Sequence, residues 1–160
     1  MQASRLLPLL DQLRSERVHI AMETSLYAPN KHFDLIKSYI DYWIVDVKFQ
    51  FGFISYLDKD LFLGDFGMNL EWVQQNAPSR MKTRMVISHQ AMPYLSNIVE
   101  RLRRYHVCDV GLLPCHQLAE NKYRQLGMRE SSYCAPTEKE LESCLNVLRE
   151  NGISVEVLAL

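Results

Sequence analysis

Apolar positions along the chain follow two rhythms, one with the period of a helix and one with the period of a strand. In residues 4–14, Leu6, Leu7, Leu10 and Leu13 fall on one helical face. Residues 18–22, VHIAM, form a short apolar run that predicts a buried strand ending at Glu23, Thr24 and Ser25. A helix follows over 32–40, with Phe33, Ile36, Tyr39 and Ile40 inward. Residues 42–48, YWIVDVK, are β-branched and aromatic and predict a second strand. The stretch 49–66 predicts a loop with a short helix, and 69–76 a helix that Pro78 terminates.

The alternation then repeats. Residues 80–87 predict a third strand, 94–105 an amphipathic helix burying Leu95, Ile98, Val99 and Leu102, and 107–113 a fourth strand. After an irregular stretch over 114–136, Thr137 and Glu140 spell a capping box for a helix over 137–151 that Gly152 stops. Residues 153–158 predict a last strand. Strand–helix alternation of this kind means α/β class, with a mainly parallel sheet covered by helices. The chain starts on a helix where a strand is expected, as though entering a barrel partway round.

Composition narrows the picture without changing it. The 160 residues, 48% of them hydrophobic, suit a single domain over 1–160. A net charge of −1 with no basic run gives no footprint for nucleic acid or an anionic membrane. No span suits a transmembrane helix or a signal peptide, so a cytoplasmic protein is expected. Cys108, Cys115, Cys134 and Cys144 lie too far apart for a CxxC zinc site or a compact iron–sulfur ligand run. They are expected as reduced thiols, with packing as their ordinary role.

Candidate chemistry collects at the predicted strand ends, where parallel α/β folds hold their ligands. Glu23 and Thr24 end the first strand, Asp46 and Lys48 the second, Arg84 lies within the third and His116 follows the fourth. Glu23, Thr24 and Asp46 offer hard oxygens to a small cation. Lys48 and Arg84 suit a carboxylate or ribose, and His116 a hydroxyl or a base. Each also has an ordinary role open to it: a surface ion pair for Asp46 and Lys48, an edge position for Arg84, a structural hydrogen bond for His116. Several strand ends converging is rarer than any one of them.

The same segments resemble the glycyl-radical-enzyme activating enzymes of the radical S-adenosylmethionine superfamily, the pyruvate formate-lyase activating enzyme type. The resemblance rests on HIAMETSLY, on IDYWIVDVKF with its D-x-x-x-x-D-x-K pattern, and on MKTRMVI. It rests most specifically on LLPCHQLAENKYRQLG, and also on PTEKELESCLNVLRENGISVEV. It covers the chain in the family's order and implies the C-terminal part of a partial (β/α) barrel lacking its first strands. By resemblance, Glu23, Thr24, Asp46 and the carbonyl of Ile44 form a monovalent-cation site. Lys48, Arg84 and His116 line the S-adenosylmethionine pocket.

The family cleaves S-adenosylmethionine at a 4Fe–4S cluster to make a radical that takes a hydrogen atom from a glycine of a partner glycyl-radical enzyme. The family's CxxxCxxC loop and GGE triplet are not in this sequence, Cys115 stands where tyrosine is usual, and Ala119 where glycine is usual. The resemblance therefore implies a fragment of an activating enzyme, with no cluster and no catalytic residue of its own and weak cofactor binding. The rival reading is a non-catalytic α/β module that docks to a glycyl-radical enzyme. A missing N-terminal half, or a second copy in a homodimer, is expected to cover the bare edge of the 18–22 strand. Light scattering across a dilution series is expected to show self-association, and a monomer at high concentration would refute the bare-edge picture.

Overall fold

The computed structural model describes residues 3–49, 63–115, 125–127 and 133–158. Among the described residues, five strands alternate with helices in chain order. They are α1 (Ala3–Ser15), β1 (Ala21–Thr24), α2 (Asn30–Ile36), β2 (Tyr42–Asp46), α3 (Leu63–Asn76), β3 (Met81–Ile87), α4 (Leu95–Arg104), β4 (Asp109–Pro114), α5 (Glu138–Glu150) and β5 (Ser154–Val157). The α/β class expected from the sequence is the class observed, and every strand pairing within a unit is parallel. Among the described residues no helix is long and apolar enough to cross a membrane. Contacts group the described chain into two units, 3–47 with 63–83, and 48–49 with 84–158.

In the first unit β1 runs parallel to β2, with Ala21 opposite Tyr42, Met22 opposite Trp43, Glu23 opposite Ile44 and Thr24 opposite Val45. Asp41 sets this register. Its Oδ2 accepts the Ile20 amide at 2.8 Å, and its own N–H donates to the Ile20 carbonyl at 2.8 Å. Because side chains alternate along a strand, Trp43, Val45 and Val47 point one way and are buried, while Tyr42, Ile44 and Asp46 point the other and stay half-buried. Phe33 of α2 sits between Trp43 and Trp72, with ring centroids 5.6 Å from each, and Tyr27 stacks on Phe66 at 4.5 Å. These aromatics fill the helix-covered side.

The second unit repeats the design. Arg84 pairs with Gly111 and Ile87 with Pro114 across β3 and β4; Asp109 pairs with Ser154 and Leu112 with Val157 across β4 and β5. Met85 and Ile87 are buried, whereas Arg84 and Val86 are half-buried. From α4, Ile98, Val99 and Leu102 join this core, whereas Leu95, also expected inward, is only half-buried at the start of the helix; α5 adds Cys144 and Leu148.

The strands begin later than the apolar runs do, and the cause is local. Residues 18, 107 and 153 were expected in strands, but each closes the helix before it. Val18 donates to the Leu13 carbonyl, Val107 to Leu102 and Ile153 to Leu148, while Arg17, His106 and Gly152 take left-handed backbone with φ of 58°, 54° and 75°. Each also bonds back to a carbonyl three residues earlier. These paired bonds are Schellman closures, which satisfy the orphan carbonyls of a helix end. Arg17 and His106 accept left-handed backbone without being glycine, at a cost of roughly 1 kcal/mol each.

Other boundaries move for equally local reasons. The 32–40 helix is α2 followed by a 3₁₀ turn, Lys37–Tyr39, and the 94–105 helix is preceded by a 3₁₀ turn, His89–Tyr94, containing Pro93. Helix α3 starts at Leu63, inside the expected loop, whose remaining part over 50–62 lies outside the described residues. Strand β1 is therefore Ala21–Thr24 and carries Glu23, so the edge expected over 18–22 is shorter and bears a charge, which blunts it. Leu6, Leu9 and Val18 remain exposed beside it.

The capping box of α5 forms as its sequence spells it. The Thr137 hydroxyl accepts from the Glu140 N–H at 3.3 Å, and Glu140 Oε2 accepts from the Thr137 N–H at 2.8 Å. His89 Nδ1 lies 2.7 Å from Glu140 Oε1. The Thr137 backbone bond, then the Thr137 hydroxyl and then His89, hold the Glu140 carboxyl below its usual range. A carboxylate with a depressed folded pKa stabilises fully above its unfolded pKa, and that contribution is lost as pH falls through the lower folded value. Thr137→Ala is expected to cost about 1 kcal/mol in urea unfolding at neutral pH. The penalty is expected to shrink in acid once Glu140 is protonated; a pH-independent penalty would show that the box is not coupled.

Candidate functional site

Parallel register sets two of the expected oxygen donors of the first unit, Glu23 and Asp46, on one side of adjoining strand ends. Glu23 lies opposite Ile44, and Asp46, two residues on, shares Ile44's side of the strand. Glu23 is exposed and Asp46 half-buried, with one carboxylate oxygen shielded from solvent. The geometry is that of two carboxylates at adjoining strand ends, suited to a hard cation or a polyhydroxyl ligand.

Thr24 is placed differently. Alternation turns it to the side opposite Glu23, towards the helices, where its hydroxyl accepts the Leu26 N–H at 3.0 Å. This bond folds the chain back at the end of β1, and Leu26 follows in left-handed backbone with φ of 60°. A hydroxyl bound in this way keeps acceptor capacity, though it is committed to shaping the loop.

Lys48 and Arg84 belong to the second unit. Lys48 is half-buried just beyond β2. Arg84 sits mid-strand, its Nε shielded from solvent, on a rung with Gly111 and Glu156. Gly111 is tight on one side: a Cβ there would meet Leu158 Cδ1 at 2.6 Å. His116 lies outside the described residues, as do Ala119 and most of the segment that carries the strongest family resemblance.

The first unit also holds an apolar cavity of about 300 Å³ that reaches the end of β1, lined by Leu6, Met22, Thr24, Leu26, Phe33 and Trp43 with Glu23 at its margin. It takes a hydrocarbon or aromatic group more readily than the charged ends of a nucleotide-like cofactor.

One residue escapes sequence reasoning. Asn69 is fully buried, and its Nδ2 donates to the Leu26 carbonyl at 3.0 Å and the Ala28 carbonyl at 2.9 Å. It therefore clamps the loop leaving Thr24 onto α3. The signal was present: Phe66, Asn69, Leu70 and Val73 share one face of α3, and an amide in that apolar stripe needs buried partners.

Comparison with known proteins places this arrangement in context. No family model matches the sequence. The chain is similar to the 4-hydroxyphenylacetate decarboxylase activating enzyme of Clostridioides difficile (strain CD196), 26% identical over 154 residues, covering 88% of this chain and 46% of that protein. It is similar to the enzyme of that name from Clostridium scatologenes, 24% identical over 93% of this chain and 50% of that one. It is also similar to the indoleacetate decarboxylase activating enzyme of Tractidigestivibacter scatoligenes, 22% identical over 91% and 48%.

Among solved structures, a domain of a pyruvate-formate lyase-activating enzyme from Bacteroides vulgatus ATCC 8482 superposes with a TM-score of 0.67 at 15% identity, covering 98% of this chain and 91% of that one. A radical SAM methyltransferase from Sphaerobacter thermophilus gives 0.62 at 14% identity, covering 89% and 42%. The strand–helix fold is thus similar to the folds of these two proteins. By sequence the chain is similar to these decarboxylase activating enzymes and spans about half the length of the curated relatives it matches.

The Asn69 clamp gives a direct test of how the strand end is held. Asn69→Ala leaves two buried carbonyls without their donor and is expected to cost about 2–3 kcal/mol. Urea denaturation measures it, and a loss within ~0.5 kcal/mol, typical of surface changes, would show that the loop is held by other means.

Proposed function

We propose that this chain is the C-terminal portion of a glycyl-radical-enzyme activating enzyme, and that its own part is to bind and orient S-adenosylmethionine for a partner glycyl-radical enzyme. The observation that carries this reading is the sequence relation to decarboxylase activating enzymes over 88% of the chain. The paired carboxylates of Glu23 and Asp46 beside Ile44 support it.

In this reading Glu23, Asp46 and the Ile44 carbonyl hold a monovalent cation, while Thr24, whose hydroxyl accepts the Leu26 N–H, shapes the loop at that strand end. Its charge offsets that of the two carboxylates. Lys48 and Arg84 take the cofactor's carboxylate and ribose, Arg84 through its planar fork, and His116 closes the pocket by hydrogen bonding. Bound S-adenosylmethionine supplies the group that removes a hydrogen atom from the partner's glycine; these residues fix where that group lies.

The cluster is another matter. Among the described residues no group of three or more His, Cys, Asp or Glu could hold a metal ion, and the four cysteines are dispersed in sequence. They do not fit a 4Fe–4S cluster, so no electron-transfer step is assigned to this chain. A cofactor pocket without the cluster's contacts to the amino-acid end of S-adenosylmethionine should bind weakly.

Calorimetry of the full chain with S-adenosylmethionine, in potassium and in a large organic cation, tests the reading. Weak binding that strengthens with potassium, and loses that dependence in Asp46→Asn, is expected. Submicromolar binding, or binding indifferent to both potassium and Asp46→Asn, would overturn it.

A further inference from the structure

Two of the four cysteines meet at the end of β3. The Cys115 N–H donates to the Ile87 carbonyl at 2.7 Å, extending the β3–β4 ladder by one bond. Ser88 is extended, with φ −126° and ψ 162°, so the His89 N–H points to the same edge as the Ile87 carbonyl. In a continued parallel ladder that N–H would bond the carbonyl of Cys115. It bonds instead to the carbonyl of Cys134, at 3.0 Å. Cys134 thus takes the ladder position that Cys115 would have filled.

The placement of Cys134 is held from both ends. Its N–H donates to Gln90 Oε1 at 3.0 Å while its carbonyl is bound by His89. Both cysteines therefore attach to one edge of a single extended segment, two residues apart along it. That is roughly 6.6 Å of strand rise between the two anchors, and the Cys134 charge is felt at the Cys115 thiol.

We propose that Cys115 and Cys134 are a redox-responsive dithiol that peroxides convert to an intramolecular disulfide. The proposal is independent of cofactor binding. Cys134 is exposed and meets the oxidant first, whereas Cys115 is partly buried. The Cys134 sulfur attacks one peroxide oxygen, the O–O bond breaks, and a sulfenic acid and water result. The Cys115 sulfur then attacks the Cys134 sulfur, the S–S bond forms, and the S–O bond breaks to release a second water. Two thiols are oxidised and one peroxide is reduced to two waters.

The surroundings favour this order. Burial, and then the nearby Cys134 charge, push the Cys115 thiol up, so Cys115 acts as the resolving thiol rather than the first nucleophile. The other two cysteines are controls. Cys144 is buried in α5 with its thiol pushed up to about 11, and Cys108 is exposed at the opposite end of β4.

The test treats the reduced full chain with hydrogen peroxide, counts thiols after denaturation, and maps peptides without reduction. Titratable thiols are expected to fall from four to two, with a peptide joining Cys115 to Cys134 that reducing agent releases. Cys108→Ser is expected to form the same bridge, and Cys134→Ser none. A bridge through Cys108, or oxidation of Cys134 to sulfinic acid with no cross-link, would overturn the proposal. Because Cys134 is exposed, circular dichroism of Cys134→Ser is expected to match the parent, and Cys115→Ala, which keeps Cys134, gives an independent loss of the bridge.

Discussion

The two-residue pleat of paired parallel strands is the constraint from which the rest of the molecule follows. Asp41 locks β1 to β2 in one register, and from then on every side chain's surroundings are decided by parity. A slip of one residue would drive Asp46 towards the aromatic rings of Phe33 and Trp72 and bring Trp43 out to the half-buried side. The cost of burying that carboxylate without a partner would exceed anything the surface could return. Packing on one side of the strands thus enforces the grouping of polar residues on the other, so the site is a by-product of the core.

Much of this was legible in the sequence, for physical reasons that differ by element. Helix α5 was visible because its start and stop signals are local: Thr137, Glu140 and Gly152 act within a turn of themselves. The inward faces of α2 and α4 were visible because periodicity alone selects Phe33, Ile36, Ile98, Val99 and Leu102. Strand starts were not visible, because a buried Val or Ile that closes a helix has the same composition as one that opens a strand. Only the backbone bonds of Val107 and Ile153 tell the two uses apart.

The candidate site shows the same division. Strand-end position was enough to pick out Glu23 and Asp46, and register then set Glu23 beside Ile44. The turn of Thr24 towards the helices follows from alternation, yet the motif view treats Glu23 and Thr24 as one unit. Asn69 was missed because its partners, Leu26 and Ala28, are more than forty residues away, and no local pattern announces which carbonyls a buried amide will meet. The clamp accounts for how one of those ends is held in shape.

The left-handed backbone at Arg17 and His106 bears on the order in which the chain folds. Glycine would let a helix end there spontaneously; arginine and histidine resist it, so each corner is uphill until something downstream rewards it. At His106 that reward is the burial of Val107 against the core and the pairing of β4 that follows. The helix and its next strand should then condense together rather than in succession, because the corner joining them has no stability of its own. In a nascent chain, α4 would keep a frayed end until β4 had a sheet to join.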